Sequence, residues 1–142
     1  MLDKERILGK IDELDAYLKE LNQIIPLNFK EYQRIEKKRS CERLLQLSIE
    51  CVIDICKLFV SGLKLGLPSE ENDLFEKMRR SNIVSKETKA ILKKMRGFRN
   101  ILVHEYAAVD DELVFKALKS KSEDFKRFKK ETIKALAKRR AK

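Results

Sequence analysis

Four side chains within the stretch FRNILVHEY, residues 98–106, have the means for chemistry: Arg99, Asn100, His104 and Tyr106. His104 is the only histidine in a chain of 142 residues. An imidazole with its ordinary pKa of ~6.5 can take up or release a proton near neutral pH. A guanidinium stays charged and presents a planar fork of N–H donors that matches phosphate or carboxylate oxygens. Asn100 can orient the histidine or hold an oxygen of a bound anion, and Tyr106 adds a phenolic hydroxyl. Such a set suits proton transfer beside an anion. The same residues also have a plainer reading: a helix-end histidine near a carboxylate, an arginine paired with some acid, and a tyrosine that merely packs.

The elements around the stretch are helical. Ile91, Leu92, Met95, Phe98 and Leu102 recur at helical spacing, and Ser85 can cap the start of that helix. A helix turns by about 100° per residue, so positions five apart point about 140° away from each other. Arg99 and His104 therefore cannot face one atom from a straight helix of one subunit. Asn100 and His104 share a row, and Arg99 and Tyr106 roughly align. Two geometries reconcile arginine and histidine: the helix ends near Val103, or a second copy supplies the missing partner across a two-fold axis. Gly97 either lets another backbone approach closely or is simply tolerated.

The rest of the chain predicts an all-α bundle built on four principal helices with additional short ones. Ile7, Ile11, Leu14, Leu18, Leu21 and Ile25 form one stripe, stopped by Pro26. Asn28 and Glu31 make a capping-box-like pair opening a second helix to about Leu65. From Leu44 onward that helix is apolar on more than one face, as expected of a helix in both a core and an interface. Gly66-Leu67-Pro68-Ser69 is a stop and a start, and residues 70–80 form a short helix. Asp110 and Asp111 cap a helix carrying Leu113, Val114, Ala117 and Leu118. A last helix uses Phe125, Phe128, Ile133 and Leu136.

Composition narrows the function. Charged residues make up 39% of the chain and the net charge is +10, but residues 116–142 alone carry twelve Lys/Arg against three Asp/Glu, or +9. That end is either a solvated helix with a frayed tail or an attraction for phosphate, hence nucleic acid. Lys138, Arg139 and Arg140 are its candidate RNA contacts. Cys41, Cys51 and Cys56 are odd in number and lie far in sequence from the one histidine, so buried thiols rather than a zinc site are expected. No apolar run reaches the length of a membrane span and the N-terminus has no signal-peptide core, so a cytoplasmic protein without a membrane partner is expected. Glycine-rich phosphate loops, H-E-x-x-H and G-x-S-x-G are absent from the sequence.

The stretch GFRNILVHEY, after a long apolar helix and before VDDELVFKAL, resembles the HepT-type toxins of the HEPN superfamily, whose signature is R-x4-H-x-Y with a polar residue after the arginine. Here Arg99, Asn100, His104 and Tyr106 meet it, and the likeness spans about residues 1–137. It implies an antiparallel HEPN helical bundle over residues 1–137, followed by a basic tail at 138–142. It further implies a homodimer with facing motifs, and an RNase toxin that needs no metal or other cofactor. It implies an MntA-type minimal nucleotidyltransferase as antitoxin, which uses ATP to place AMP on the motif tyrosine, Tyr106.

The chemistry is coherent in its own right. RNA, with tRNA among the candidate targets, can be cut by attack of its own 2′-hydroxyl on phosphorus. That needs a base, an acid for the leaving 5′-oxygen, and a cation for the phosphate. His104 suits either proton task, Arg99 suits the phosphate, and Asn100 assists. One chain has one histidine, whereas a dimer brings two. The alternative function is a catalytically silent helical adaptor that binds nucleotide or RNA for a nucleotidyltransferase.

Overall fold

The computed structural model describes residues 2–104 and 110–139, which form six α-helices. These are α1 (Lys4–Ile24), α2 (Phe29–Tyr32), α3 (Ile35–Gly62), α4 (Glu71–Arg80), α5 (Lys86–Val103) and α6 (Asp111–Lys138). The all-α expectation holds.

Local chemistry accounts for the ends. Asp3, Ser85 and Asp110 each accept backbone N–H bonds in the first turns of α1, α5 and α6. Ile25 is extended, as the residue before Pro26 must be, and so closes α1. Gly66 turns the chain between α3 and α4 with φ +100°, a conformation that favours glycine.

Three expectations are corrected. The helix read from Asn28 to about Leu65 is two helices. Asn28 does cap, accepting from Glu31 N–H at 2.8 Å, but this capped turn ends at Tyr32, and Arg34 is extended before α3 begins. Tyr32 is buried against Phe29 and Phe115, whereas Ile35 is 57% exposed, so the apolar register does not run through the break. Conversely, the two helices read after Asp111 are one. Residues 119–124 hold neither Gly nor Pro, and Leu118 and Phe125, seven apart, lie on the same buried stripe. Ile133, read as core, is exposed.

Side-chain contacts set the directions of the four long helices. Lys10 of α1 pairs with Asp54 of α3, while Ile24 shares a cavity with Lys37 and Ser40, so α1 and α3 are antiparallel. Ser85 and Thr88 of α5 meet Glu131 of α6, and Phe98 lies under Lys121, so α5 and α6 are antiparallel too. Lys129 binds Asp15 at 2.7 Å, which runs α6 against α1. The result is an up-and-down bundle around α3, whose Leu45, Ile49, Val52, Ile55 and Phe59 are fully buried. Each such side chain contributes about 1.5–3 kcal/mol by leaving water. Cys41, Cys51 and Cys56 are free thiols inside this core, and burial pushes the Cys51 thiol up to about 12.

The short helix α4 lies along α5 in the opposite direction. Glu76 bonds Lys89 of α5 at 2.9 Å, and Glu71 reaches Arg96 and Arg99 further along α5. Hydrogen bonds from Arg79 and then Lys89 hold the Glu76 carboxyl well below its ordinary value of 4.5. A depressed native carboxyl stabilises the fold fully above its unfolded value, and the effect fades as pH falls through the native one. Glu76→Gln should therefore lower the melting temperature at neutral pH, and its gap from the wild type should close as the pH drops below 4.5. Thermal melts of both proteins across that range check this.

Candidate active site

Helix α5 carries Arg99 and Asn100 and ends just before His104. Val103 is its last residue. His104 is the C-cap, with φ −85° and ψ 97°, and its N–H closes a last ladder bond to the Asn100 carbonyl at 3.3 Å. The chain thus leaves the helical path at the histidine itself. Of the two geometries that could reconcile Arg99 with His104, the end of the helix is present within one chain.

Arg99 is held closely. Its side chain is 14% exposed, its Nε donates to the Asn100 Oδ1 at 3.0 Å, and its Nη2 donates to Oε1 of Glu71 in α4. The same Glu71 oxygen accepts from Arg96 Nε at 3.0 Å. Arg96 and Arg99 stand three apart on one face of α5, which is why one carboxylate meets both. Two guanidiniums around one carboxylate leave net positive charge on this face of α5. The plainer expectation of an acid partner for Arg99 is met, and the partner is Glu71. Sequence reasoning did not single it out, because Glu71 is one of several acids in EENDLFE at the start of a helix, where acids are ordinary.

The other expected site residues fall differently. Asn100 is half-buried and joins Arg99 directly, and His104 is exposed. Phe98 and Leu102 pack against the core as expected, while Ile101 and Val103 are 40% and 38% exposed. A Cβ at Gly97 would meet nothing within 4 Å, so the face it shares with Ile101 is open. Tyr106 and Arg140 lie outside the described residues. Lys138 ends α6, and Arg139 donates to the carbonyls of Ala135 and Ser81, each at 3.4 Å. The end of α6 thus sits by the α4–α5 connection. It is about 25 Å along α6 from Lys121, the residue beside Phe98, so one chain does not bring it to the Arg99–His104 end. Among the described residues no cluster of His, Cys, Asp and Glu suits a metal, and no helix is long and apolar enough to cross a membrane.

A helical bundle that presents an anchored arginine, an amide and a histidine at the open end of one helix has the parts of a phosphodiester-cleaving enzyme. Comparison with known proteins places it. The sequence model of the family described as Ribonuclease HepT-like matches residues 14–132. The chain is 29% identical over 122 residues to the mRNA nuclease HepT of Shewanella oneidensis, covering 86% of this chain and 92% of that protein. It is 30% identical over 110 residues to the tRNA nuclease HepT of Aphanizomenon flos-aquae, covering 77% and 75% respectively. Among solved structures it superposes on the tri-AMPylated Shewanella oneidensis HEPN toxin in complex with MNT antitoxin. The TM-score there is 0.83 at 29% identity, over 91% of this chain and 96% of that one. The chain belongs to the HepT-like ribonuclease family and is an endoribonuclease built on the HEPN fold.

Proposed function

We propose that this protein is the toxin of a toxin–antitoxin pair and cuts RNA by attack of the 2′-hydroxyl on the adjacent phosphorus. The observation that carries this reading is the anchored Arg99–Asn100 pair one turn before the chain leaves α5 at His104. In the proposed reaction an imidazole takes the 2′-hydroxyl proton as the O–P bond forms. A second proton donor protonates the departing 5′-oxygen, and Arg99 neutralises the phosphate oxygens. These groups supply base, acid and cation between them, so the reaction proceeds without a metal or other cofactor. The Shewanella and Aphanizomenon relatives are named for mRNA and tRNA cleavage, which supports RNA as the substrate class.

A homodimer would bring two copies of His104 to one cleft, one as base and one as acid. The exposed Ile101 and Val103 and the open Gly97 face support apposition of two copies near this segment. The domain is read as residues 1–137, with 138–142 as a basic tail that adds phosphate contacts through Lys138, Arg139 and Arg140. The protein is read as cytoplasmic. The partner is an MntA-type nucleotidyltransferase antitoxin, supported by the structural likeness to a HEPN toxin solved with MNT antitoxin.

Two experiments test this reading. In EDTA the purified protein should still cleave total RNA, while His104→Ala and Arg99→Ala should each lower the rate by about 10²–10⁴ and keep the wild-type helical signal. Wild-type cleavage by His104→Ala, or cleavage that stops in EDTA and returns with Mg²⁺, would overturn it. AMP on Tyr106 would set an anionic phosphodiester in competition for Arg99 and narrow the cleft. Tyr106→Phe should therefore cut RNA yet escape neutralisation by the antitoxin and ATP, with mass spectrometry finding AMP on the wild-type Tyr106 peptide. Equal silencing of both proteins would contradict control at Tyr106.

A further inference from the structure

From the bonds between α4 and α5 we infer that Glu71 is the positioning residue for Arg99. It holds the guanidinium in the orientation that receives the RNA phosphate. The inference rests on the assignment of Arg99 to that phosphate.

An arginine one turn before the end of a helix has a long, freely rotating side chain, with the open carbonyl oxygens of the last turn beyond it. Left alone, its fork would turn among those carbonyls and solvent. Here two acceptors remove that freedom. The Asn100 Oδ1 takes Nε–H at 3.0 Å, and Glu71 Oε1 takes an N–H of Nη2. Two bonds to different atoms of one planar group fix both its position and its plane. Of the five N–H donors, the two on Nη1 and the second on Nη2 then meet no acceptor among the described residues, and the edge they form is the one available to a phosphate oxygen.

Glu71 is itself fixed. It lies in the first turn of α4, where a negative charge is favoured by the helix dipole. Its Oε1 is also bonded by Arg96, and α4 is held to α5 a turn and a half away by Glu76 and Lys89. Arg96 offsets the charge that Glu71 would otherwise set against Arg99. The pair of arginines with one carboxylate therefore stays attractive to phosphate. A carboxylate that simply neutralised Arg99 would give the opposite balance. On this view α4 matters to the reaction, although it contributes nothing to the Arg–His motif.

The test uses the full-length protein with a short fluorescent RNA, measuring kcat, KM and the Arg99 Nε–H resonance, assigned by its loss in Arg99→Lys. Glu71→Ala should lower kcat by about 10²-fold with KM little changed, because a displaced catalytic group costs about that much. The Arg99 Nε–H should also lose its protection from solvent exchange. Glu71→Gln keeps an oxygen acceptor and should recover most of both readouts. Glu71→Asp keeps the charge but draws the oxygen back by one methylene, so it should behave like the alanine variant even if the latter fails to fold. Wild-type kcat in Glu71→Ala or Glu71→Asp would overturn the inference. So would tighter RNA binding with faster cleavage, or a loss of kcat while Arg99 stays protected. If Arg99→Ala itself cleaves at the wild-type rate, the assignment of Arg99 fails instead, and the resonance still reports whether Glu71 orders it.

Discussion

An α-helix advances about 100° per residue, and everything at this site follows from that turn. An arginine and a histidine five positions apart diverge by about 140°, so a straight helix cannot serve both to one phosphate. Helix α5 ends between them, at Val103. Arg99 stays inside the helix, where α4 can reach it, and His104 stands at the cap, its N–H still bonded to Asn100 and its ψ of 97° turning the chain away after it. The apolar Ile101-Leu102-Val103 run between them is what a helix end needs to remain attached to the bundle: Leu102 packs inward while its neighbours stay exposed.

That helix end can only be dependable if α5 is fixed along its length. The buried stripe of α5, through Thr88, Leu92 and Met95, sits on α3, the element most completely enclosed. At the start of α5, Ser85 and Thr88 share the Glu131 carboxylate of α6, with Thr88 Oγ1 donating to it at 2.5 Å. Along its flank, α4 is tied down by Glu76 and Glu71. Hydrophobic burial supplies most of the stability. The charged contacts set where the helices lie along one another, and so where Arg99 comes to rest.

Much of this was legible in the sequence, for identifiable reasons. The stripe of α1, the caps at Asn28, Ser85 and Asp110, and the end of α5 near Val103 are local features that depend on residues a few positions apart. The catalytic candidates Arg99, Asn100 and His104 were visible for the same reason. What escaped was non-local. The break at Gln33–Arg34 depends on how Tyr32 packs against Phe115, more than eighty residues away. The unity of α6 depends on Leu118 and Phe125 meeting the same core across a polar stretch. Glu71 is 28 residues from Arg99, and nothing in EENDLFE marks which acid will face α5 until the two helices are packed. The end of α6 shows the same limit: the charge of Lys138 and Arg139 is plain in the sequence, but their distance from the end of α5 appears only with α6 laid along α5.

The central claim is that Arg99 and His104 serve attack by the RNA's own 2′-hydroxyl. The most direct measurement is the chemistry of the cut ends. A defined RNA cleaved by the wild-type protein should yield a 2′,3′-cyclic phosphate on one fragment and a 5′-hydroxyl on the other, read by mass spectrometry, because that nucleophile leaves phosphorus bonded to both ribose oxygens. A 3′-hydroxyl with a 5′-phosphate would mean that water attacked instead, and would contradict this account of the site.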